Sequence, residues 1–194
     1  GHIKIAALPS IAQLWLTPKL PEIRVQLPDI QISITAQEEA PNLLREPFDI
    51  SIFYSDGGSK NQNFTMEEDV IFPVCAPKIA EKLKVSKDML NFPLLHDLAW
   101  YKDWQNWVMH YLPETKIDLR GPSYSLYSLA VEEAVQGAGI LMARRSLVTN
   151  HLKSGTLIAP FKEFVICPEQ MTISVANQMC DKSIIKKLIG IFRN

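Results

Sequence analysis

The strongest constraint on this chain is the alternation of short apolar runs with longer stretches whose apolar residues recur at helical spacing. The runs are Ile3 to Ala6, Ile30 to Thr35, Ile50 to Tyr54, Val70 to Cys75, Leu94 to His96, Ile140 to Ala143, Leu157 to Pro160 and Met171 to Ala176. Most are short and apolar, as strands covered on both faces require. Strands separated by helices predict an α/β layer fold with parallel strands and crossover helices.

The intervening stretches can be argued one by one. An apolar, proline-broken helix follows the turn at Pro9 and Ser10. Trp100, Trp104, Trp107, Val108 and Tyr111 form a helical stripe that Pro113 ends, and core packing explains it more simply than a cofactor site. In SYSLYSLAVEEAVQGAGI, Ser123 or Ser125 supplies an N-cap oxygen, Tyr127, Ala130, Val131 and Ala134 make one face, and Gly137 offers the left-handed residue that closes the helix. Gly139 then permits a tight turn into the next strand. Near the C-terminus Asp181 caps a helix with Ile184, Ile185, Leu188, Ile189 and Phe192 on its apolar face and Lys182, Lys186 and Lys187 on its wet one. Ser55 to Asn63 and Lys162 to Gln170 read as loops.

A chain of 194 residues with 47% hydrophobic residues can bury one core or two small ones. Lys and Arg number 20 against 21 for Asp and Glu, so the basic excess of a nucleic-acid binder is missing and this chain is not expected to grip DNA itself. Cys75, Cys167 and Cys180 are widely spaced with no CxxC pair, which predicts small buried residues in a reducing compartment rather than disulfides or zinc. No run is long enough for a membrane span, and no signal peptide is visible, so a soluble domain is expected. The sequence opens at Gly1 and reads as strand by Ile3, which raises the expectation of a piece cut from a longer chain.

Catalytic and metal motifs are missing. There is no GxSxG elbow, P-loop or HExxH, and His2, His96, His110 and His151 have no metal-ligand spacing. His96 and Asp97 are adjacent on a strand and point to opposite faces, which disfavours an oriented base. Asn63-Phe64-Thr65 matches a glycosylation sequon that matters only in a secreted setting. What remains is two serine-bearing helix starts, at Pro9-Ser10 and at Ser125 to Ser128. Helix capping explains either alone; facing one another, they make a place for a small polar or anionic ligand.

Several segments in order resemble the effector-binding domain of LysR-type transcriptional regulators. They are LPSIAQLWLTPKLPEI (Leu8 to Ile23), PDIQISI (Pro28 to Ile34), FDISIFYSDG (Phe48 to Gly57), FPVCAPKIA (Phe72 to Ala80), FPLLHD (Phe92 to Asp97), SLAVEEAVQGAGILMARRSLV (Ser128 to Val148) and GTLIAPF (Gly155 to Phe161). The branch that looks most similar includes the glycine-cleavage activator and the β-lactamase-gene activator. The resemblance implies a periplasmic-binding-protein-like type 2 fold of two Rossmann-like α/β lobes joined by two crossing strands. Residues 1–72 with 162–194 would form lobe 1 and residues 73–161 lobe 2, after an N-terminal winged helix-turn-helix absent from this chain.

In that family the inducer sits between the lobes. Carried over by position, its contacts are Leu8, Pro9, Ser10 and Ile11; Tyr54 and Ser55; Ser125, Leu126, Tyr127 and Ser128; with His96 and Trp100 at the border. The branch often has Asp or Ser where Leu126-Tyr127 stands and Arg at Phe53, so the resemblance implies a more apolar, aromatic pocket here. It also implies a cytoplasmic protein without catalytic residues, cofactor or metal, and DNA contact only through the missing domain. It further implies an antiparallel homodimer, with the helix around Lys19 to Leu27 against second-lobe elements, and a homotetramer in the full-length protein. The alternatives are a transporter's solute-binding protein on the same fold and, less simply, a dehydratase- or deaminase-like enzyme.

Overall fold

The computed structural model describes residues 1–56, 62–177 and 181–194. In chain order the elements are β1 (His2–Ala7), α1 (Pro9–Ile11), α2 (Leu20–Gln26), β2 (Gln31–Ala36), β3 (Ile50–Ser55), β4 (Gln62–Thr65), β5 (Val70–Val74) and α3 (Pro77–Ala80). They continue with β6 (Leu94–Asp97), α4 (Lys102–Tyr111), β7 (Ser123–Tyr124), α5 (Tyr127–Val135), β8 (Ile140–Arg144), α6 (Arg145–Ser154), β9 (Val165–Ile166), β10 (Gln170–Val175) and α7 (Lys182–Arg193). Gly57 and most of the expected loop from Ser55 to Asn63, like Cys180, lie outside the described residues.

Two compact units emerge. Unit 1 comprises Gly1–Asp69 and Pro168–Asn194, and unit 2 comprises Val70–Cys167, so the chain changes unit after Asp69 and after Cys167. The lobe bounds that the resemblance implies break the chain after residues 72 and 161.

The sheet of unit 1 runs β2-β1-β3-β10-β4. β1 pairs parallel with β2 and β3, whereas β10 is antiparallel to β3 and β4. Unit 2 repeats the scheme as β7-β6-β8-β5-β9, with β6 parallel to β7 and β8, and β5 antiparallel to β8 and β9. Each sheet is therefore mixed: the parallel strands expected from the sequence pair through β1, β6 and their neighbours, and β10 and β5 run against the strands beside them. The reason lies in connectivity: β5 and β10 are the first strands after each change of unit, so no crossover helix within their own sheet fixes their direction.

Local details follow from particular residues. The helical segment from Pro9 contains a π turn over Ala12–Leu16 and a 3₁₀ turn over Thr17–Lys19 before α2. Pro18 and Pro21 lack the amides that regular α geometry needs, which accounts for the irregular register. Gly137 has φ of 85° and Ala138 N–H donates to Glu133 O at 3.0 Å, closing α5 as its sequence predicts. A Cβ on Gly139 would stand 2.2 Å from the Pro93 carbonyl oxygen, so only glycine allows β8 to start there. Asp181 caps α7 by accepting from Ser183 N–H at 2.9 Å and Ile184 N–H at 3.3 Å.

Three expectations fail. Leu157 to Pro160 forms no strand, only a bridge between Cys75 and Ile158. The loop from Lys162 to Gln170 contains the short strand β9. Neither Ser123 nor Ser125 caps α5: Ser123 and Tyr124 pair with His96 and Asp97, which keeps the chain extended until Leu126 takes the N-cap position.

The core of unit 2 packs Trp104 and Trp107 of α4 with Ile71, Met89, Leu94 and Ile140. Cys75 and Cys167 are buried outside any disulfide among the described residues, and burial pushes Cys75 up to about 11, which makes it unreactive.

Candidate functional site

Open α/β sheets offer ligand positions beyond the carboxyl ends of parallel strands where the strand order reverses. Each unit has one such point. In unit 1, β1 leads to β2 on one side while β3 lies on the other, so the reversal falls between β1 and β3. Leu8 to Ile11 follow β1 there, and Tyr54 and Ser55 end β3. Leu8 N–H donates to Ile52 O at 3.2 Å and Leu8 O accepts from Ala12 N–H at 2.9 Å, which ties the helix start to both strands. Leu8 and Pro9 are half-buried, and Ser10 and Ile11 are buried.

The hydroxyls at the end of β3 are held from beneath. Tyr54 donates to Asp69 Oδ2 at 2.8 Å, and the Asp69 amide donates to Gln170 Oε1 at 2.6 Å. Ser55 Oγ donates to Thr172 Oγ1 at 2.9 Å. The two side chains are thereby oriented by β10 and by the residue that ends the first segment of unit 1.

In unit 2 the reversal falls between β6 and β8. Asp97 ends β6 and accepts from the amides of Ala99 and Trp100 at 3.0 and 3.1 Å. Arg144 ends β8, and its guanidinium donates to both carboxylate oxygens of Asp103 at 3.0 and 3.2 Å. The same guanidinium carbon lies 3.8 Å from the centre of the Trp100 ring. Tyr127 meets Trp100 edge-on at 5.2 Å, and its hydroxyl accepts from Arg144 N–H at 3.0 Å.

Burial sets the charges here. It pushes the Asp97 carboxyl up, against the two amides that hold it down, and pushes the His96 imidazole down, against a hydrogen bond with the Leu119 backbone. His96 Nε2 is buried without a hydrogen-bond partner among the described residues. It borders a void of ≈ 10 Å³ with Asp97, Trp100, Asp103, Trp104 and Tyr127, enough for one water and far too small for an organic ligand.

The twelve residues singled out from the sequence thus separate by exposure. Ser125 is exposed and Leu126 and Ser128 are half-buried at the start of α5, whose first turn has no side-chain cap. His96 and Tyr127 are buried in the packing behind them, and Trp100 is half-buried over Arg144. Sequence reasoning missed Asp103 and Arg144. The available signal was an arginine ending the otherwise apolar strand ILMAR, since a buried guanidinium demands a carboxylate.

Among the described residues no group of three or more His, Cys, Asp or Glu side chains could hold a metal ion, and no helix is long and apolar enough to cross a membrane.

The family model described as the LysR substrate binding domain matches residues 1–180. The chain belongs to this family. Among curated relatives of this LysR substrate-binding domain, the regulator DsdC of Escherichia coli strain K12 is 32% identical over 180 residues, covering 86% of the chain and 56% of DsdC. The glycine cleavage system transcriptional activator of the same strain is 29% identical over 171 residues, covering 86% of the chain and 55% of the activator. The chain therefore spans about half the length of these relatives. Among solved structures, the effector domain of AmpR of Pseudomonas aeruginosa superposes with a TM-score of 0.78 at 18% identity, covering 99% of the chain and 94% of that domain. The type 2 periplasmic-binding-protein-like fold expected from the sequence is the fold of these domains.

Proposed function

We propose that the chain is the effector-sensing part of a cytoplasmic LysR-type transcriptional regulator and carries no catalysis of its own. The observation that carries the reading is the pair of switch points, one in each unit, furnished with short hydroxyl side chains and an uncapped helix start. A small polar effector with a carboxylate or another anionic group contacts Leu8, Pro9, Ser10 and Ile11, Tyr54 and Ser55, and Ser125, Leu126 and Ser128. His96, Trp100 and Tyr127 hold the last group in place from behind. Amides at the first turn of α5 and the serine hydroxyls are suited to such an anion.

The effector acts by binding one conformational state of the protein better than another, and can bias the equilibrium only by that difference. The chain pairs as a homodimer, with α2 in the interface, and DNA is contacted through a segment outside this sequence. The names of the relatives, which are regulators of transcription, support this assignment over a transporter component.

A thermal-shift screen of the purified chain against amino acids, cell-wall fragments and small carboxylates tests it. A binder present at about 100 times its Kd adds roughly 2.7 kcal/mol of stability. The expected result is a specific hit that a Ser10→Ala/Ser128→Ala double variant loses. A hit that the double variant retains, or a library without hits, would remove the proposed contacts.

A further inference from the structure

Unit 1 has a second concavity, a groove of ≈ 500 Å³ bounded by β4, β10 and α7. Small-molecule sites fall in the range of about 300–1,000 Å³. Its apolar walls are Phe64 of β4, Val175 at the end of β10, and Ile185 and Ile189 of α7. Phe64 stands opposite Ile173 in the strand register and Val175 is two residues farther along, so both project from the same face of the sheet.

Cations line one side. Lys182, Lys186 and Arg193 border the groove, spaced along α7 so that they share a flank, and all are exposed. No carboxylate side chain among the described residues lines the groove. Among the described residues none of Lys182, Lys186 and Arg193 stands in an ion pair, so these cations are not neutralised there.

Gly190 supplies an independent observation. It lies in the groove wall inside α7, without a positive φ, and an added Cβ would meet nothing within 4 Å. Glycine inside a helix weakens it, yet neither backbone conformation nor packing demands glycine here. The consequence of the missing side chain is an open groove between Lys186 and Arg193.

We propose that this groove binds an amphiphilic organic anion, a medium-chain alkyl or aryl monocarboxylate. The apolar part lies on Phe64, Val175, Ile185 and Ile189, and the carboxylate faces Lys182, Lys186 and Arg193. Charge and shape select this class together: an amine is repelled by the flank, and acetate leaves the apolar walls wet. The site uses residues of unit 1 alone and shares none with the effector contacts proposed above.

The test is calorimetric titration of the whole chain with octanoate, with octylamine and acetate as controls. Saturable octanoate binding at about 1 mM or tighter is expected, without octylamine binding. Gly190→Leu fills the groove with a better helix former, and Lys182→Glu/Lys186→Glu reverses the flank; each weakens octanoate by about tenfold or more at unchanged circular dichroism. Ser10→Ala/Ser128→Ala binds octanoate as the wild type does. No saturable binding by the wild type, equal binding of octylamine, or a Gly190→Leu chain that binds like the wild type overturns the proposal. Loss of octanoate in the serine variant with retention in Gly190→Leu puts the ligand elsewhere and overturns it too.

Discussion

Arg144 and Asp103 meet through two hydrogen bonds, Nε to Oδ2 at 3.0 Å and Nη2 to Oδ1 at 3.2 Å, with side chains only 3% and 7% exposed. A pair so deeply buried is expensive to half-remove, because the partner left behind is an uncompensated charge. Asp103→Ala is expected to lower stability by about 3–5 kcal/mol, whereas Asp103→Leu with Arg144→Met recovers most of the loss. Urea unfolding of the three proteins decides it, and an additive double variant would count against the pairing.

Tyr127 serves the same corner through its hydroxyl, which accepts the Arg144 amide proton inside unit 2. Tyr127→Phe keeps the ring against Trp100 and deprives a buried amide of that acceptor, for an expected cost of about 1–3 kcal/mol. Denaturation at fixed pH measures the cost; wild-type stability would mean the bond contributes nothing.

His96 makes stability depend on pH. Burial depresses its pKa in the folded chain, so as pH falls the unfolded chain takes up the proton first, near about 6.5. The contribution is complete above that value and is lost as pH falls toward the folded pKa. The urea midpoint should therefore drop between about pH 7.5 and 5.5, and drop less in His96→Gln. Asp97 works in the opposite sense and lower down: its raised carboxyl pKa adds stability as the group protonates. Parallel pH profiles for the two proteins would exclude His96 as the source.

Alanine at two glycines should have effects of opposite sign. At Gly137, with φ of 85°, a Cβ is strained, and a loss of about 1 kcal/mol is expected. At Gly190, where a Cβ meets open space, the gain is about 0.5–1 kcal/mol. Thermal melts of the two variants would show Tm moving in opposite directions.

Val25 on α2 is 81% exposed, which suits the proposed homodimer face. Val25→Glu should leave the fold intact and raise the monomer fraction in sedimentation equilibrium. An unchanged association constant would take α2 out of the interface.

The sequence was most legible where one local rule decides. The apolar runs at Ile50 and Ile140, the Asp181 cap and the left-handed Gly137 all emerge where local chemistry requires them. It was least legible where a partner far along the chain decides. Ser125 has the chemistry of a cap, but pairing of Ser123–Tyr124 with β6 moves the helix start to Leu126. The direction of β5 and β10 depends on where the chain changes unit, which no periodicity records. At the candidate site the serines could be picked out as short hydroxyls near helix starts. The Arg144–Asp103 bond spans 41 residues and could not be.

β10 occupies a place between β3 and β4, although nearly a hundred residues belonging to unit 2 separate it from them. During synthesis the ribosome releases Val70–Cys167 as a complete folding unit while the earlier segment still has a gap in its sheet. Of the two units, the one that begins earlier in the sequence is thus completed later, and until β10 arrives the edge of β3 stays unpaired and open to mispairing.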